Sequence, residues 1–296
     1  MPIISLFTKL LHFLPGELSH YIALKGLKFI YDVGLLGLII RKKNSFNDNE
    51  IDITSSSHLI GIAAGLDKNG DYIDCLAALG INFIEVGTVT PRPQPGNPKP
   101  RIFRNRKEKS LLNRLGFNNK GVDHLVRNLK NRNSEIIVGS SIGRNSDTSN
   151  ENAFQDYIFC LERVYEFTDY IAVNISSPNT KGLRELSNHE FLDELLKHLK
   201  LKQEELSASY SYKPIFIKVS PDESLDNLKI ICNSILSNKL DGIICSNTLA
   251  IHKSIEGYGG VSGTPLKDKS TANLINVRKF VGEESNDIQV LRTCPS

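Results

Sequence analysis

The sequence predicts a (β/α) barrel preceded by a short helical segment, and three observations carry that expectation. From Leu59 onward, short apolar runs alternate with segments of helical periodicity. Most of these runs are continuous rather than alternating, as parallel strands covered on both faces are. Polar residues gather just after the runs, the place from which a barrel delivers its functional groups. A length of 296 residues has room for such a domain, and 40% hydrophobic against 23% charged residues exclude wholesale disorder.

The first segment stands apart. From Leu6 to Ile40 apolar residues recur at helical spacing (Leu6, Leu10, Phe13, Leu14, then Leu18, Ile22, Leu24, Leu27, Ile30), and Pro15-Gly16 divides them into two amphipathic helices. Two readings fit: a helical hairpin packed on the main domain, or a membrane-surface element whose Lys9, Lys25 and Lys28 face anionic headgroups. The polar stretch from Asn44 to Ser57 reads as a linker. Strands are expected at Leu59–Ala63, Phe83–Val89, Ile136–Ile142, Tyr170–Ile175, Pro214–Val219, Gly242–Ser246 and, more weakly, Ile288–Leu291. Helices are expected between most of them, at Gly70–Leu79, Gly121–Leu129, Asn152–Phe167, His189–Leu201 and Leu225–Leu236. A dinucleotide fold would place G-x-G-x-x-G after its first strand, and Ala64-Gly65-Leu66-Asp67-Lys68 is not that motif.

Composition removes several function classes. A net charge of +3, without a basic block interleaved with aromatics, argues against nucleic-acid binding. The five cysteines are scattered and contain no C-x-x-C pair, so neither a disulfide framework nor a zinc site is indicated, and a reducing compartment follows. No apolar run reaches the ~18–20 residues of a membrane span, and the N-terminus lacks the pattern of a signal peptide. These features place the product in the cytoplasm.

Five segments carry chemistry: Ala63 to Lys68, Gly87 to Pro93, Asn113 to Asn119, Asn174 to Thr180, and Ser246-Asn247-Thr248. Together they describe a site rich in neutral amides, with Lys68 and Lys218 and almost no carboxylates. Asparagine offers a donor and an acceptor and does not titrate, so converging asparagines suit a planar heterocycle with N–H and C=O groups. The lysines suit a carboxylate, a flavin or a phosphate. Lys218, inside the run Phe216-Ile217-Lys218-Val219, is costly to bury unless paired. Single asparagines after strands are otherwise turn residues. Ser177 has no His or Asp partner in sequence, so a hydrolase triad is unsupported. No metal-ligand spacing follows the strands. A Schiff-base amine at Lys68 or Lys218 is the competing use of those residues.

These segments resemble those of dihydroorotate dehydrogenase, specifically its quinone-linked (class 2) family. The resemblance runs from about Pro15 to about Arg278 and includes Gly87 to Arg104, GTVTPRPQPGNPKPRIFR. It implies an α/β fold, a (β/α)8 TIM barrel preceded by a small N-terminal helical domain. The helical segment and Ser177, where the soluble class places a cysteine, both fit class 2. The implied activity is oxidation of (S)-dihydroorotate to orotate, the fourth step of de novo pyrimidine synthesis, with FMN as hydride acceptor and a membrane quinone as electron acceptor. The resemblance assigns FMN contacts to Ala64, Gly65, Leu66, Asp67, Lys68, Thr88, Ser141, Asn174, Lys218, Ser246 and Gly263. It assigns dihydroorotate to Lys68, Asn113, Arg114, Leu115, Gly116, Phe117, Asn174, Asn179, Asn247 and Thr248, with Ser177 as the base that takes the C5 proton. A quinone tunnel is expected near His20 and Arg104. Residues 1–46 are expected to rest on the cytoplasmic side of the cell membrane, and residues 47–296 to form the FMN-binding barrel.

Two departures from the family pattern qualify this. Ser141 stands where the family has an asparagine that contacts FMN, so one flavin hydrogen bond is in doubt. After the seventh strand the family continues through a Gly-Gly loop, a helix and an eighth strand, whereas Leu291 to Ser296 resemble nothing in it. A barrel lacking its last strand and helix units leaves two unpaired edges and loses phosphate-gripping loops. The expectation is therefore that the chain binds FMN weakly or not at all, with a non-catalytic remnant that keeps membrane association as the alternative.

Overall fold

A computed structural model of the chain describes residues 9–39, 60–180, 182–187, 189–251, 257–282 and 288–293. The elements begin with Gly16–Asp32 (α1), Leu36–Ile39 (α2), Gly61–Ile62 (β1), Ile73–Ala77 (α3) and Phe83–Val89 (β2). They continue with Ile102–Asn105 (β3), Ser110–Asn113 (β4), Val122–Lys130 (α4), Ile137–Ile142 (β5), Ala153–Val164 (α5) and Tyr170–Asn174 (β6). Next come His189–Ser207 (α6), Ile215–Val219 (β7), Leu225–Ser237 (α7) and Gly242–Cys245 (β8). Leu249–Ile251 (β9), Gly259–Gly263 (β10), Thr264–Val281 (α8) and Gln289–Arg292 (β11) complete the order.

Seven parallel strands form a barrel wall in the order β1-β2-β5-β6-β7-β8-β11. Every expected strand is present, each within a residue or two of its sequence boundary. The pairing runs past the weak seventh candidate: Arg292 sits opposite Cys245, and the Thr293 N–H donates to the Cys245 carbonyl at 2.7 Å. The continuous apolar runs still alternate in destination. Ile84, Val86, Val138, Ile171, Val173, Ile217 and Ile243 join the outer core beneath the helices, while Tyr170, Ala172, Phe216 and Ile244 form a second cluster inside the wall.

That inner cluster is the barrel floor. Phe83, Tyr170 and Phe216 meet edge to face, with ring centroids 6.5 and 5.7 Å apart. Glycines make room for the rings. A Cβ on Gly139 would overlap the Tyr170 ring, and one on Gly242 would stand 2.8 Å from the Phe216 ring. The alternation of large and small residues fills the interior as a packed layer rather than a pore.

The helices wrap the outside in sequence order, α4 against α5, α5 against α6, α6 against α7 and α7 against α8. Ser224 caps α7 by accepting the Asn227 N–H at 3.2 Å. Pro15 precedes α1, so the expected break is where that helix starts, and one 17-residue helix followed by the short α2 takes the place of the second predicted helix. Helix α1 packs on α3 and β3. The Ser19 hydroxyl donates to the Leu11 carbonyl at 2.6 Å and ties down the helical residues 9–11. Leu6 and the expected linker Asn44–Ser57 lie outside the described residues.

The sequence reading omitted α8 and a four-stranded antiparallel sheet, β3-β4-β10-β9. This sheet crosses the end of the barrel where β6 and β8 deliver their loops. Its strand β10 comes so close that a Cβ on Gly260 would overlap the Thr248 hydroxyl and stand 3.1 Å from Pro178.

Candidate functional site at the C-terminal end of the barrel

Above the aromatic floor the inward positions turn polar. Lys218 of β7 is buried, as the sequence reading required, and its partner is Glu85 of β2, with Nζ 3.1 Å from Oε1. Glu85 also accepts from the Ala64 N–H at 3.3 Å and from the Tyr170 hydroxyl at 3.5 Å. The expectation of almost no carboxylates is thereby corrected. A charge pair buried on both sides needs these added hydrogen bonds to offset its desolvation. Glu85 carried the same signal as Lys218, a charged residue within a continuous apolar strand.

One layer higher, hydroxyls and amides interlock. Thr88 and Ser141 share a hydrogen bond of 2.8 Å, and Asn174 Nδ2 donates to Thr88 Oγ1 at 3.0 Å. Asn247 Nδ2 reaches both Asn174 Oδ1, at 3.2 Å, and Ser176 Oγ, at 3.0 Å. The Ser246 N–H donates to Thr293 Oγ1 at 2.8 Å, so residue 293 closes this layer on the β8 side. Thr248 donates its N–H to Asn247 Oδ1 at 2.8 Å, fixing the orientation of that amide.

The loops after β4 and β6 meet over this layer. Asn179 Nδ2 donates to Asn113 Oδ1 at 3.1 Å, and Asn113 Nδ2 donates to the Gly260 carbonyl at 3.3 Å. The Asn179 N–H donates to Ser177 Oγ at 3.3 Å. Two buried polar atoms here have no protein partner, Asn179 Oδ1 and Thr180 Oγ1. Such atoms are costly unless something else binds them. Gly116 and Phe117 hold the 113–117 segment in a left-handed turn, with φ of +67° and 53°. The Arg114 guanidinium donates to the Pro100 carbonyl at 3.0 Å and lies over the Phe103 ring at 4.9 Å, and Leu115 gives its carbonyl to the Asn97 N–H at 3.1 Å.

The loop after β1 contributes in a different way. Gly65 has φ of +117°, and a Cβ there would meet nothing within 4 Å, so its backbone borders open space. Asp67 is buried, and its carboxylate accepts the N–H groups of Asn69, Asp71 and Tyr72, which makes it the organiser of the turn. Lys68 donates to the Gly65 carbonyl at 2.6 Å. Burial and then the Arg101 charge push its ammonium down to about 8. His20 of α1 lies 2.8 Å from the Leu66 carbonyl through Nε2, so that nitrogen carries the proton. Burial and the Lys68 charge lower the His20 pKa.

Most of the anticipated residues therefore converge, from Ala64, Gly65 and Lys68 through Thr88, Ser141, Asn174 and Lys218 to Ser246, Asn247 and Thr248. Gly263 ends β10, precedes α8 and packs on Lys109 and Ser110. Arg104 donates to the Leu14 carbonyl at 2.8 Å and lines an open groove of about 600 Å³ with Lys9, Phe13, Lys109 and Leu111. His20 sits elsewhere, against the β1 loop.

A family model described as dihydroorotate dehydrogenase matches residues 54–291. The chain belongs to the quinone-linked dihydroorotate dehydrogenase family. It is 45% identical to "Dihydroorotate dehydrogenase (quinone)" of Acinetobacter baylyi over 287 residues, covering 95% of this chain and 85% of that one. The protein of the same name from Vibrio parahaemolyticus is 49% identical over 232 residues, 76% of this chain and 69% of that one. Among solved structures, the Eimeria tenella DHODH in complex with ferulenol superimposes with a TM-score of 0.79 at 28% identity, covering 95% of this chain and 80% of that one. These relatives lend no support to a non-catalytic remnant, and family membership excludes the Schiff-base reading of Lys68 and Lys218.

Proposed function

We propose that the chain oxidises dihydroorotate to orotate, with FMN accepting hydride at the barrel mouth and quinone receiving the electrons. The observation that carries this reading is the set of interlocked amides and hydroxyls, Asn174–Thr88–Ser141 and Asn247–Ser176, beside the buried Lys218–Glu85 pair, with Asn174 opposite Lys218 in the strand register. Such a face presents donors and acceptors together, which suits the N–H and C=O edge of a flavin ring, and the open backbone at Gly65 suits close approach of a planar group. The residues thus fit FMN, and Ala64, Gly65, Thr88, Asn174, Lys218 and Ser246 would hold it. FMN, when bound, supplies a two-electron acceptor for the C6 hydride and passes those electrons on to quinone.

The rest of the chemistry belongs to side chains of this chain. Asn113, Asn179 and Asn247 hold the dihydroorotate ring by its amide edges, and Asn179 Oδ1, otherwise unpartnered, takes a ring N–H. Lys68, cationic at neutral pH, pairs with the substrate carboxylate. Ser177 Oγ takes the C5 proton as its own hydroxyl proton departs, and the Asn179 N–H directed at it, 3.3 Å away, stabilises the partial negative charge that the departing proton leaves on Oγ. A serine hydroxyl is a weak base at neutral pH and needs an onward proton acceptor, for which Thr180 Oγ1 is the adjacent unpartnered group. Lys218, held by Glu85 at 3.1 Å, would lie against FMN and offset negative charge gained by it. Ser141, bonded to Thr88, does the work of a longer side chain indirectly by fixing that hydroxyl.

Residues 1–46 dock the protein peripherally on the cytoplasmic face of a membrane. Phe13 is 80% exposed, Phe29 66% and Tyr21 59%, while no helix among the described residues is long and apolar enough to cross a bilayer. The deciding test is the visible spectrum of the purified chain followed by dihydroorotate-dependent reduction of a quinone dye. A bound-flavin band with turnover supports the reading. No dye reduction with FMN in excess refutes it.

A further inference from the structure

The segment that forms one wall of the substrate pocket is held by a turn that plays no part in the chemistry above. Three successive carbonyls of that segment are taken by donors from residues 94–97. Asn97 Nδ2 donates to the Arg114 carbonyl at 3.0 Å, and the Asn97 N–H donates to the Leu115 carbonyl at 3.1 Å. Gln94 Nε2 donates to the Gly116 carbonyl at 3.0 Å. The second hydrogen of the Asn97 amide goes to the Asn179 carbonyl at 3.0 Å, 82 residues further along the chain. One side chain thus spans the two loops whose asparagines, Asn113 and Asn179, face each other at 3.1 Å. The fit is close on every side. A Cβ on Gly116 would stand 2.8 Å from the Asn97 amide, and a Cβ on Gly96 would overlap the Leu115 carbonyl.

Arg101 locks the turn from behind. Its buried guanidinium donates to the Pro95 carbonyl at 2.6 Å and the Asn97 carbonyl at 3.0 Å, and its own carbonyl accepts the Arg114 N–H at 2.9 Å. The remaining donors of the fork engage Glu17 of α1 in a bidentate pair, at 2.7 and 3.2 Å. Lys99, 3.4 Å away, also faces Glu17, and the Glu17 charge acts on Lys68 and His20 as well. Burial raises the Glu17 carboxyl pKa, but the Arg101 hydrogen bonds and charge, with Lys99, outweigh it and keep the carboxylate ionised.

We propose that Asn97 and Arg101 are positioning residues that set the spacing between the Asn113 and Asn179 loops, and that the Glu17–Arg101 pair makes this spacing depend on the docking of α1. The kinetic consequence rests on the function proposed above; the positioning does not. Deleting the Asn97 amide leaves the flavin layer untouched and releases both loops, so dihydroorotate binding suffers while quinone binding does not.

The test uses the full-length protein with Asn97→Ala, Arg101→Lys and Glu17→Gln. Amide hydrogen exchange is the first readout. Asn97→Ala is expected to speed exchange in residues 113–118 and 178–180 together and to leave α1 unchanged. Glu17→Gln is expected to loosen the same two segments, to a lesser degree. The second readout is steady-state kinetics. Asn97→Ala is expected to raise the dihydroorotate KM about tenfold, the scale of a lost buried hydrogen bond, with the quinone KM within twofold. Arg101→Lys keeps the charge on Glu17 but not the fork to the two carbonyls, so it is expected to fall short of wild type in both readouts. Unchanged exchange in the two segments overturns the proposal, whatever the kinetics. Faster exchange in a chain whose wild type does not oxidise dihydroorotate leaves the positioning intact and removes the proposed function instead.

Discussion

The two ends of the barrel interior are built from the same strands and by opposite rules. At the floor, Phe83, Tyr170 and Phe216 interlock with glycines at 139 and 242, and the Tyr170 hydroxyl finds Glu85. At the mouth, two or four residues further along those strands, the inward positions are Glu85, Ser141, Asn174 and Lys218. There Asn179 Oδ1 and Thr180 Oγ1 are left without protein partners. The floor gains stability from packing, and the mouth gives some of it up for a surface complementary to a polar ring. Substitutions should separate the two ends accordingly.

The largest separation is expected from Ser177→Ala. The change removes the proposed base and little else, because the Ser177 hydroxyl accepts from the Asn179 N–H and this backbone donor survives the substitution. Dihydroorotate oxidation is expected to fall by about a hundred- to ten-thousand-fold, measured as kcat, with the unfolding midpoint in urea unchanged. Retained turnover would move the base to another residue. Phe216→Ala reverses the pattern. It empties the centre of the floor and is expected to cost about 3–5 kcal/mol of stability, read from urea unfolding, while the dihydroorotate KM of the folded enzyme stays within about twofold. A large change in KM would show that the floor transmits strain to the mouth, and the two ends would not be separable.

The contrast between the ends also explains what could be read from the sequence. The wall strands were legible because parallel strands buried on both faces are continuous apolar runs, and Phe83–Val89 matches to the residue. The convergence of Asn174, Asn247 and Lys218 was legible only from the set: a single asparagine after a strand reads as a turn residue, whereas a lysine inside an apolar strand asks for a partner. Two elements were not. Helix α8 buries Leu266, Ser270, Asn273, Val277 and Val281, a perfect helical stripe in which two members are polar. Burial of Asn273 is explained by its hydrogen bond to the Ser220 carbonyl at 3.2 Å, a tertiary fact with no local signature. The antiparallel sheet was hidden for a related reason. Its strand β10 reads Gly-Gly-Val-Ser-Gly, a composition that strands avoid, and those glycines are needed because Asn113 and Thr248 lie against the backbone. Asn97 escaped notice because its partners, Arg114 and Asn179, are 17 and 82 residues away.

A smaller effect, and one with a sign at each end, is expected from pH. Lys68 has its pKa lowered from 10.5 to about 8. Substrate pairing needs the protonated form, so the dihydroorotate KM is expected to rise as pH passes about 8, and Lys68→Met is expected to flatten that rise. Stability should respond in the other direction. Between about 8 and 10.5 the unfolded chain still holds a proton that the folded chain has lost, so this group's contribution to stability increases with pH across that window. A KM that stays flat from pH 7 to 9.5 would detach Lys68 from the substrate carboxylate.

The smallest effect is expected where the geometry looks strongest. Arg92 Nη2 lies 2.6 Å from Asp147 Oδ1, closer than the 3.1 Å between Lys218 and Glu85. Yet the Arg92 and Asp147 side chains are 64% and 71% exposed, against 6% and 4% for the buried pair. In water-like dielectric the attraction is screened, and holding two long side chains in one arrangement costs most of what remains. Arg92→Ala is therefore expected to change unfolding stability by less than about 0.5 kcal/mol and to leave both KM values alone. The backbone N–H of Arg92 donates to Asn145 Oδ1 at 3.0 Å and survives the substitution, so the loop after β2 keeps its anchor. A loss comparable to that of Phe216→Ala would mean that this loop, rather than the floor, limits the stability of the barrel.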